Sequence, residues 1–226
     1  GGSGWDIGWG IATDAADEII ITGHTNFSGF PLSAGAFQTV NAGSNDAFVA
    51  KFDVNGNRLW STYLGGNGSD LGTDISIDSG NNIVIVGLTT SLNFPVTPGC
   101  FQSAAGGAMD LFITKFNSSG NRLWSTYKGG LFPEEWTTCA IDQNDNIYVL
   151  AEWEGLSSIP EVYPTCSFQK NFAGIEDETI SKFNSNGNYI CNTYLGGAGE
   201  DDGDFGYGGI GCYCGFIYIV TTTTGG

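Results

Sequence analysis

A nine-residue phrase recurs in this chain at long and nearly constant intervals. It begins at Arg58 as RLWSTYLGG, returns at Arg122 as RLWSTYKGG, and returns more loosely at Tyr189 as YICNTYLGG. A long fixed period indicates that one structural unit has been copied along the chain. The repeat therefore constrains the fold more strongly than any single residue does.

The composition favours an all-β protein with many tight turns. Of the 226 residues, 36 are glycine, which is about twice the average usage, and only 14% are charged. Short runs of β-branched and aromatic residues alternate with Gly, Asn, Asp and Pro, as strands alternate with turns. No segment sustains a period of 3.6, so no helix is predicted.

Each period predicts four short strands. In the second copy they lie at 71–78, 83–86, 110–116 and 122–127. The first copy predicts strands near 7–13, 18–24, 46–52 and 58–64, and the third near 136–142, 146–152, 178–183 and 188–194. A partial fourth copy predicts two more, near 207–212 and 216–222.

Four antiparallel strands followed by a Gly-Gly link are typical of a β-propeller blade. The first strand of each unit is small and apolar, which suits the crowded axis, and the fourth carries Trp and Tyr, which suits the outer edge. A solenoid is the alternative, but its units are usually shorter. The predicted fold is all-β, a partial or open β-propeller with about three and a half blades. The single segment 1–226 divides into blades near 1–66, 67–130 and 131–197 and a partial blade at 198–226.

The blade count leaves the ring incomplete, because propellers usually have 4 to 8 blades. Either the chain is a fragment of a longer protein, or other chains complete the ring. The first is the preferred interpretation.

Five stretches resemble the bacterial SBBP-type β-propeller repeat and, more distantly, NHL-type blades. They are 8–14 (GWGIATD), 46–52 (DAFVAKF), 61–66 (STYLGG), 82–89 (NIVIVGLT) and 94–102 (FPVTPGCFQ). The resemblance implies a propeller within a large secreted or cell-surface bacterial protein, as in Bacteroidetes-like multidomain chains. It implies no defined activity and supplies no catalytic residues. The third copy departs from the pattern, since Ile159-Pro160 replaces Phe-Pro and its loop is longer.

The charge balance bears on the partners that the chain can bind. There are 7 basic and 24 acidic residues, giving a net charge of −17. Such a chain repels phosphate backbones and anionic membranes, so neither nucleic-acid binding nor membrane insertion is predicted. No apolar run approaches 18 residues, and the sequence shows no signal peptide. An extracellular location is nevertheless the expectation that the resemblance carries.

The densest group of carboxylates is the candidate metal site. It consists of Glu200, Asp201, Asp202 and Asp204. Carboxylates this close repel one another unless a hard cation separates them, so calcium is the one cofactor considered, with a solvated loop as the alternative. The same two interpretations apply, less strongly, to 176–178.

Two turn motifs imitate calcium loops without their full pattern. Gly-Gly-x-Gly-x-Asp, for example at 65–70, matches a stacked calcium repeat, but its copies lie too far apart to stack. The turn after Asp53 resembles the start of an EF-hand loop, yet Leu64 stands where that loop needs Glu. A blade-to-blade turn and a hairpin turn, respectively, are predicted instead.

No convincing catalytic constellation is present, so the chain is predicted not to be an enzyme. His24 is the single histidine, and no Gly-x-Ser-x-Gly motif occurs. One histidine and no Cys-x₂-Cys pair also disfavour zinc. His24 is therefore assigned a structural or surface role.

Six cysteines permit disulfides but do not fix their pairing. We expect one or two bridges, for example from Cys100 or Cys166 to a cysteine of the next unit. Cys212 and Cys214 are placed on one strand and should not bridge each other. Cys139 is interpreted as a small buried hydrophobe.

Four tryptophans lie outside the repeated phrase: Trp5, Trp9, Trp136 and Trp153. Aromatic side chains near a propeller face either pack or stack on sugars and protein partners. Packing is the preferred interpretation.

The leading hypothesis is a non-catalytic extracellular propeller that acts as a scaffold, adhesion or interaction module. Its loops would bind protein or glycan partners, or the remainder of the parent chain. The alternatives are a subunit that completes a ring or filament with other copies, and a glycan-active hydrolase or lyase.

Overall fold

The computed structural model describes residues 4–154, 168–173, 176–197 and 209–220, and every regular element in these ranges is a β-strand. The described part of the chain contains no helix long and apolar enough to cross a membrane. The strands are β1 (Asp6–Thr13), β2 (Ile19–Thr25), β3 (Asp46–Phe52), β4 (Arg58–Leu64), β5 (Asp70–Ile77), β6 (Ile83–Thr89), β7 (Asp110–Phe116), β8 (Arg122–Lys128), β9 (Glu134–Ile141), β10 (Ile147–Glu154), β11 (Glu176–Phe183), β12 (Tyr189–Leu195), β13 (Gly209–Tyr213) and β14 (Phe216–Val220).

The strands form three four-stranded antiparallel sheets and one two-stranded hairpin. In each complete sheet the spatial order follows the chain, as β1-β2-β3-β4, β5-β6-β7-β8 and β9-β10-β11-β12, and β13 pairs with β14. This arrangement is a partial β-propeller whose sheets do not close into a ring within the described residues. The predicted fold class is confirmed, and the strands match the predicted ranges within two residues at nearly every end.

The innermost strands of successive sheets lie side by side. β5 contacts both β1 and β9, and β13 contacts β9. Hydrogen bonds connect β5 with β9. The Asp74 carboxylate accepts from the Cys139 backbone N–H at 2.9 Å, and Ser76 Oγ donates to the Cys139 carbonyl at 3.0 Å. The first strand of each unit therefore lies next to the axis, as its small residues predict.

The middle sheet is buried on both faces, and β6 shows why its sequence is continuously apolar. Ile83 and Ile85 pack into the core shared with the first sheet, whereas Val84 and Val86 pack into the core shared with the third. Side chains of a strand alternate between faces, so a strand with two buried faces needs apolar residues at every position.

The tryptophan of the repeated phrase connects one blade to the next. Trp60 Nε1 donates to the Ser118 carbonyl at 2.9 Å, and its ring lies against Gly120. Gly120 has φ +82°, and a Cβ there would lie 2.8 Å from the indole, so two requirements select glycine. Trp124 repeats the contact with the Ser185 carbonyl at 3.1 Å.

The Thr-Tyr pair of the phrase holds the long loop between the second and third strands. Tyr127 Oη donates to the Ser91 carbonyl at 2.6 Å and accepts from the Phe94 backbone N–H at 2.7 Å. Thr126 Oγ1 accepts from the Gln102 backbone N–H at 2.9 Å. The first blade repeats these contacts through Tyr63 and Thr62, so the phrase recurs because each copy organises its own loop.

A disulfide is present, as expected, but it does not involve Cys100. Cys100 is free, so the bridge expected for it is not formed, and Cys166 lies outside the described residues. Cys191, which stands at the position of Trp60 and Trp124, is in a disulfide. Cys212 and Cys214 are both free and do not bridge each other, as predicted.

Two cysteine placements are also settled by the structure. Cys214 lies in the turn after β13 with φ +50°, not on the strand with Cys212, so the prediction of one shared strand face was wrong. Cys139 is buried in the core between the second and third sheets, which confirms its assignment as a small hydrophobe. Burial raises the pKa of its thiol.

Candidate functional site

The candidate metal site Glu200, Asp201, Asp202 and Asp204 lies outside the described residues, and calcium binding there stays a prediction. Within the ranges that the structure describes, no group of three His, Cys, Asp or Glu side chains could hold a metal ion. Asp177, from the second acidic run, is buried and accepts from the Ala173 backbone N–H at 2.7 Å. That carboxylate holds a loop of its own blade.

The two segments whose sequences resemble calcium loops, the one after Asp53 and the one at 65–70, both form turns. Asp53 accepts from the Asn55 backbone N–H at 2.9 Å and closes the β3–β4 hairpin. Asp70, at the end of the Gly-Gly-x-Gly-x-Asp stretch, accepts from the Gly66 backbone N–H at 2.7 Å. The turn predictions for both segments are confirmed.

Buried carboxylates meet where one blade passes to the next. Asp46 and Asp70 are both fully buried and lie on either side of Gly65, where a Cβ would approach both carboxyl groups within 3 Å. Asp46 accepts from the backbone N–H groups of Ala42 and Gly43. Asp70 accepts from the hydroxyls of Thr89 and Ser91. These donors bind both carboxylates into the junction.

The second junction keeps a buried carboxylate, Asp110, at the position of Asp46 and adds a buried base. Glu134 stands at the position of Asp70, and Lys128 at the position of Leu64. Both are buried, and Glu134 accepts from the Gly130 backbone N–H at 2.7 Å. Burial raises the pKa of Glu134 to about 8 and lowers that of Lys128 to about 8, while their mutual attraction opposes both shifts.

The first junction makes stability depend on pH. Burial, reinforced by Asp70, raises the pKa of Asp46 from 3.8 to about 6. A raised pKa in the folded state means that the contribution of Asp46 is fully present below pH 3.8 and is lost as the pH rises through 6. Lowering the pH from 7.5 to 5.5 should therefore stabilise the wild type by about 1 kcal/mol relative to Asp46→Asn. Urea unfolding at both pH values measures this difference.

A matched control for that experiment is Asp53→Asn. Asp53 is only partly buried, its pKa is lowered by hydrogen bonds to Asn57, and the sister turns carry Asn117 and Asn184 at its position. This variant should keep the wild-type dependence between pH 5.5 and 7.5. An identical pH dependence of wild type and Asp46→Asn would contradict the assignment.

Each complete sheet carries one β-bulge in its innermost strand. The bulge residue, which has no partner on the neighbouring strand, is Trp9 in β1, Thr73 in β5 and Trp136 in β9. Thr73 Oγ1 donates to the Thr137 carbonyl at 2.8 Å and ties its bulge to the third sheet. Bulges redirect side chains and occur often beside functional sites.

The two bulged tryptophans meet across the intervening blade and, with His24, form the axial aromatic cluster. The rings of Trp9 and Trp136 lie 6.4 Å apart between centroids and are nearly perpendicular, at 76°. Trp9 Nε1 donates to His24 Nδ1 at 3.0 Å. The two tryptophans therefore pack against each other, yet Trp9 stays 50% exposed and Trp136 46% exposed.

Trp136 has a left-handed backbone, with φ +38°, where the sister copies have Gly8 and Gly72. A non-glycine residue in this region is strained by about 1–3 kcal/mol. Strain of this kind is a pointer to function, since the fold retains it against its cost.

A paired change across the third sheet accounts for the displaced bulge. In the second sheet Gly87 pairs with Phe112, and a Cβ on Gly87 would overlap the Leu71 carbonyl oxygen. In the third sheet Ala151 pairs with Thr179 instead. The Cβ of Ala151 requires room on the side of β9. In β9 the bulge therefore falls on Trp136, one residue before Thr137, which is the counterpart of the bulge residue Thr73.

The sequence located part of this site. His24 and both tryptophans were singled out, and His24 does have a structural contact, through Trp9. Trp5 is 75% exposed and makes no ring contact with the cluster among the described aromatic pairs, and the side chain of Trp153 lies outside the described residues. Lys128 and Glu134 were missed. The signal was available, because each replaces a residue that is otherwise Leu or Asp in the repeat.

Comparisons with known proteins support a repeat protein of the β-propeller type. No protein-family model matches the chain. It is 25% identical over 130 residues to the regulatory protein FlaEY of Caulobacter vibrioides, covering 57% of this chain and 13% of that protein. It is 34% identical over 82 residues to an uncharacterized WD repeat-containing protein of Acanthamoeba polyphaga mimivirus, covering 34% of this chain and 6% of that protein. WD repeats form four-stranded propeller blades, in agreement with the sheets described above.

Proposed function

We propose that the chain is a non-catalytic β-propeller segment of the SBBP type, which serves as a scaffold and interaction module in a larger secreted or cell-surface protein. The observation that carries the proposal is that each blade has two kinds of position, those that contact the next blade and those that are exposed along the axis. Contacts between blades repeat from copy to copy, as with Trp60 and Trp124, whereas the exposed positions along the axis differ between copies. A tryptophan contact that recurs between blades, together with a variable exposed face, suits a scaffold that displays a binding surface.

The relatives agree with this proposal only in outline. One is named as a regulatory protein and the other as a WD repeat-containing protein, and neither name states an enzymatic activity. The chain spans a small part of each, so its partners and location are proposals that rest on its own residues.

Two measurements test the proposed function. Incubation with panels of glycans and peptides should give no turnover, and protease added to intact cells that express the parent protein should remove this segment. Turnover that a single carboxylate substitution abolishes would replace the scaffold by an enzyme. Protection of the segment inside unbroken cells would overturn the extracellular placement.

One observation favours a second candidate, an assembly subunit. The β13–β14 hairpin exposes large apolar side chains on a two-stranded sheet: Tyr213, Phe216, Ile217, Tyr218 and Val220. Exposed apolar patches on a short sheet favour association. Light scattering of the purified chain, with and without calcium, should give a defined dimer if copies complete one another, and a monomer or irregular aggregate if they do not.

A further inference from the structure

The axial aromatic cluster offers ring faces and not only ring edges. Trp9 and His24 are joined by a hydrogen bond between ring nitrogens, their planes differ by 27°, and their centroids are 6.2 Å apart. That separation exceeds a face-to-face stack, so the two rings lie nearly side by side and extend one aromatic surface. Trp136 stands at 76° to Trp9 and forms a wall beside it. The result is an aromatic corner with an open floor.

The corner is held in place by the fold. Trp9 lies on β1 and Trp136 on β9, so two innermost strands that flank β5 supply its two sides. Both side chains leave from β-bulges, and the backbone of Trp136 is held in the left-handed region. A preorganised aromatic pair loses little conformational entropy when a ligand binds.

The charge of the chain disfavours anionic ligands. The chain carries a net charge of −17, and none of its seven Lys and Arg residues lies on β1, β2, β5 or β9. Glu135, next to Trp136, is exposed. An anionic ligand would be repelled, whereas the hydroxyls of a neutral sugar can donate to carboxylates. The C–H faces of a pyranose ring carry partial positive charge and complement the electron-rich face of an indole.

We propose that Trp9, His24 and Trp136 form a stacking site for a neutral glycan, with Trp9 and His24 as the floor and Trp136 as the wall. This inference rests on the proposed function, since it names the ligand class for the interaction module. Burial lowers the pKa of His24, so its neutral ring keeps Nδ1 available to Trp9 at neutral pH.

The chain provides its own substitutions for a test. Thr73 is the bulge residue of the second copy, and Gly72 occupies the position of Trp136, so Trp9→Thr and Trp136→Gly replace each ring with a residue that the same fold already accepts. Trp136→Gly also relieves the backbone strain, because glycine adopts a positive φ without a steric cost. Trp5→Ala is the matched control, because Trp5 is exposed and lies outside the cluster.

The experiment titrates the 226-residue chain with xylohexaose, cellohexaose, mannohexaose and laminarihexaose, and follows the tryptophan indole N–H resonances by NMR. At least one neutral oligosaccharide should shift the signals of Trp9 and Trp136 and leave those of Trp60 and Trp124 in place. Trp9→Thr and Trp136→Gly should each weaken binding roughly tenfold, and Trp5→Ala should not.

Three outcomes would overturn the site. They are the absence of any shift with all four oligosaccharides, equal binding by wild type and both cluster variants, and binding of an oligogalacturonate or a proline-rich peptide in place of the neutral sugars. Chemical denaturation of each variant verifies that it is folded. Loss of this site alone would leave the proposed scaffold role intact, because that role is decided by turnover and by protease access to intact cells.

Discussion

Replacing Gly87 by alanine should lower the free energy of unfolding by about 3 kcal/mol, at the upper end of what overpacking costs. A Cβ on Gly87 would overlap the carbonyl oxygen of Leu71 and lie 2.6 Å from the ring of Phe112. The carbonyl belongs to the neighbouring strand of the same sheet, and Phe112 is fully buried. Neither group can move without disturbing the core between the first two sheets. Urea unfolding followed by circular dichroism measures the effect.

Two other substitutions serve as comparisons for Gly87→Ala. Gly8→Ala adds the same methyl group, but its Cβ would have no neighbour closer than 4.0 Å, so its effect should stay within about 0.5 kcal/mol. Ala151→Gly, at the equivalent position of the third sheet, should cost only about 1 kcal/mol from added chain entropy. If Gly87→Ala were as stable as Gly8→Ala, the close approach of β5 to β6 would not be what excludes a side chain there.

The second large effect concerns the buried acid and base of the second junction. Glu134→Gln should destabilise the protein by about 3 kcal/mol, because it leaves the wholly buried Lys128 without the carboxylate that favours its charge. Lys128→Leu should cost less. Glu134 can take up a proton, since burial already raises its pKa to about 8, and the sister copy carries Leu64 at the same place.

The double variant closes a mutant cycle. Lys128→Leu combined with Glu134→Gln removes the charges of these two side chains and should recover most of the stability lost in Glu134→Gln, with a coupling energy of about 2 kcal/mol. The control is Glu135→Gln, since Glu135 is the exposed neighbour on the same strand. Additive effects of the two substitutions would show that Lys128 and Glu134 act independently.

Strand positions and blade order followed directly from the sequence, because local signals determine them. Alternating faces, Asn-Gly hairpin turns and the recurrence of Thr62 at Thr126 are properties of short segments. The contact of Trp60 with the next blade was not foreseen. It joins residues 58 positions apart, and a tryptophan on an outer strand carries no mark of what it meets.

The aromatic cluster was only half predictable for a related reason. Trp9 and Trp136 are 127 positions apart, and their meeting depends on the placement of two bulges. A bulge depends on packing across the sheet, as the exchange of the Gly87 and Phe112 pair for Ala151 and Thr179 illustrates. Comparing the copies with one another would have revealed that exchange.

The contact between Trp60 and the turn at Gly120 has a direction, since one blade contributes the ring and the next contributes the turn. Joints of this head-to-tail kind have no intrinsic stopping point, and they end only when accumulated rotation brings the last unit back to the first. The number of blades in a closed ring is therefore set by the angle between successive blades at each joint. Gene duplication can add a unit without inventing a new contact, and a few side chains at one joint can alter how many units a complete circle requires.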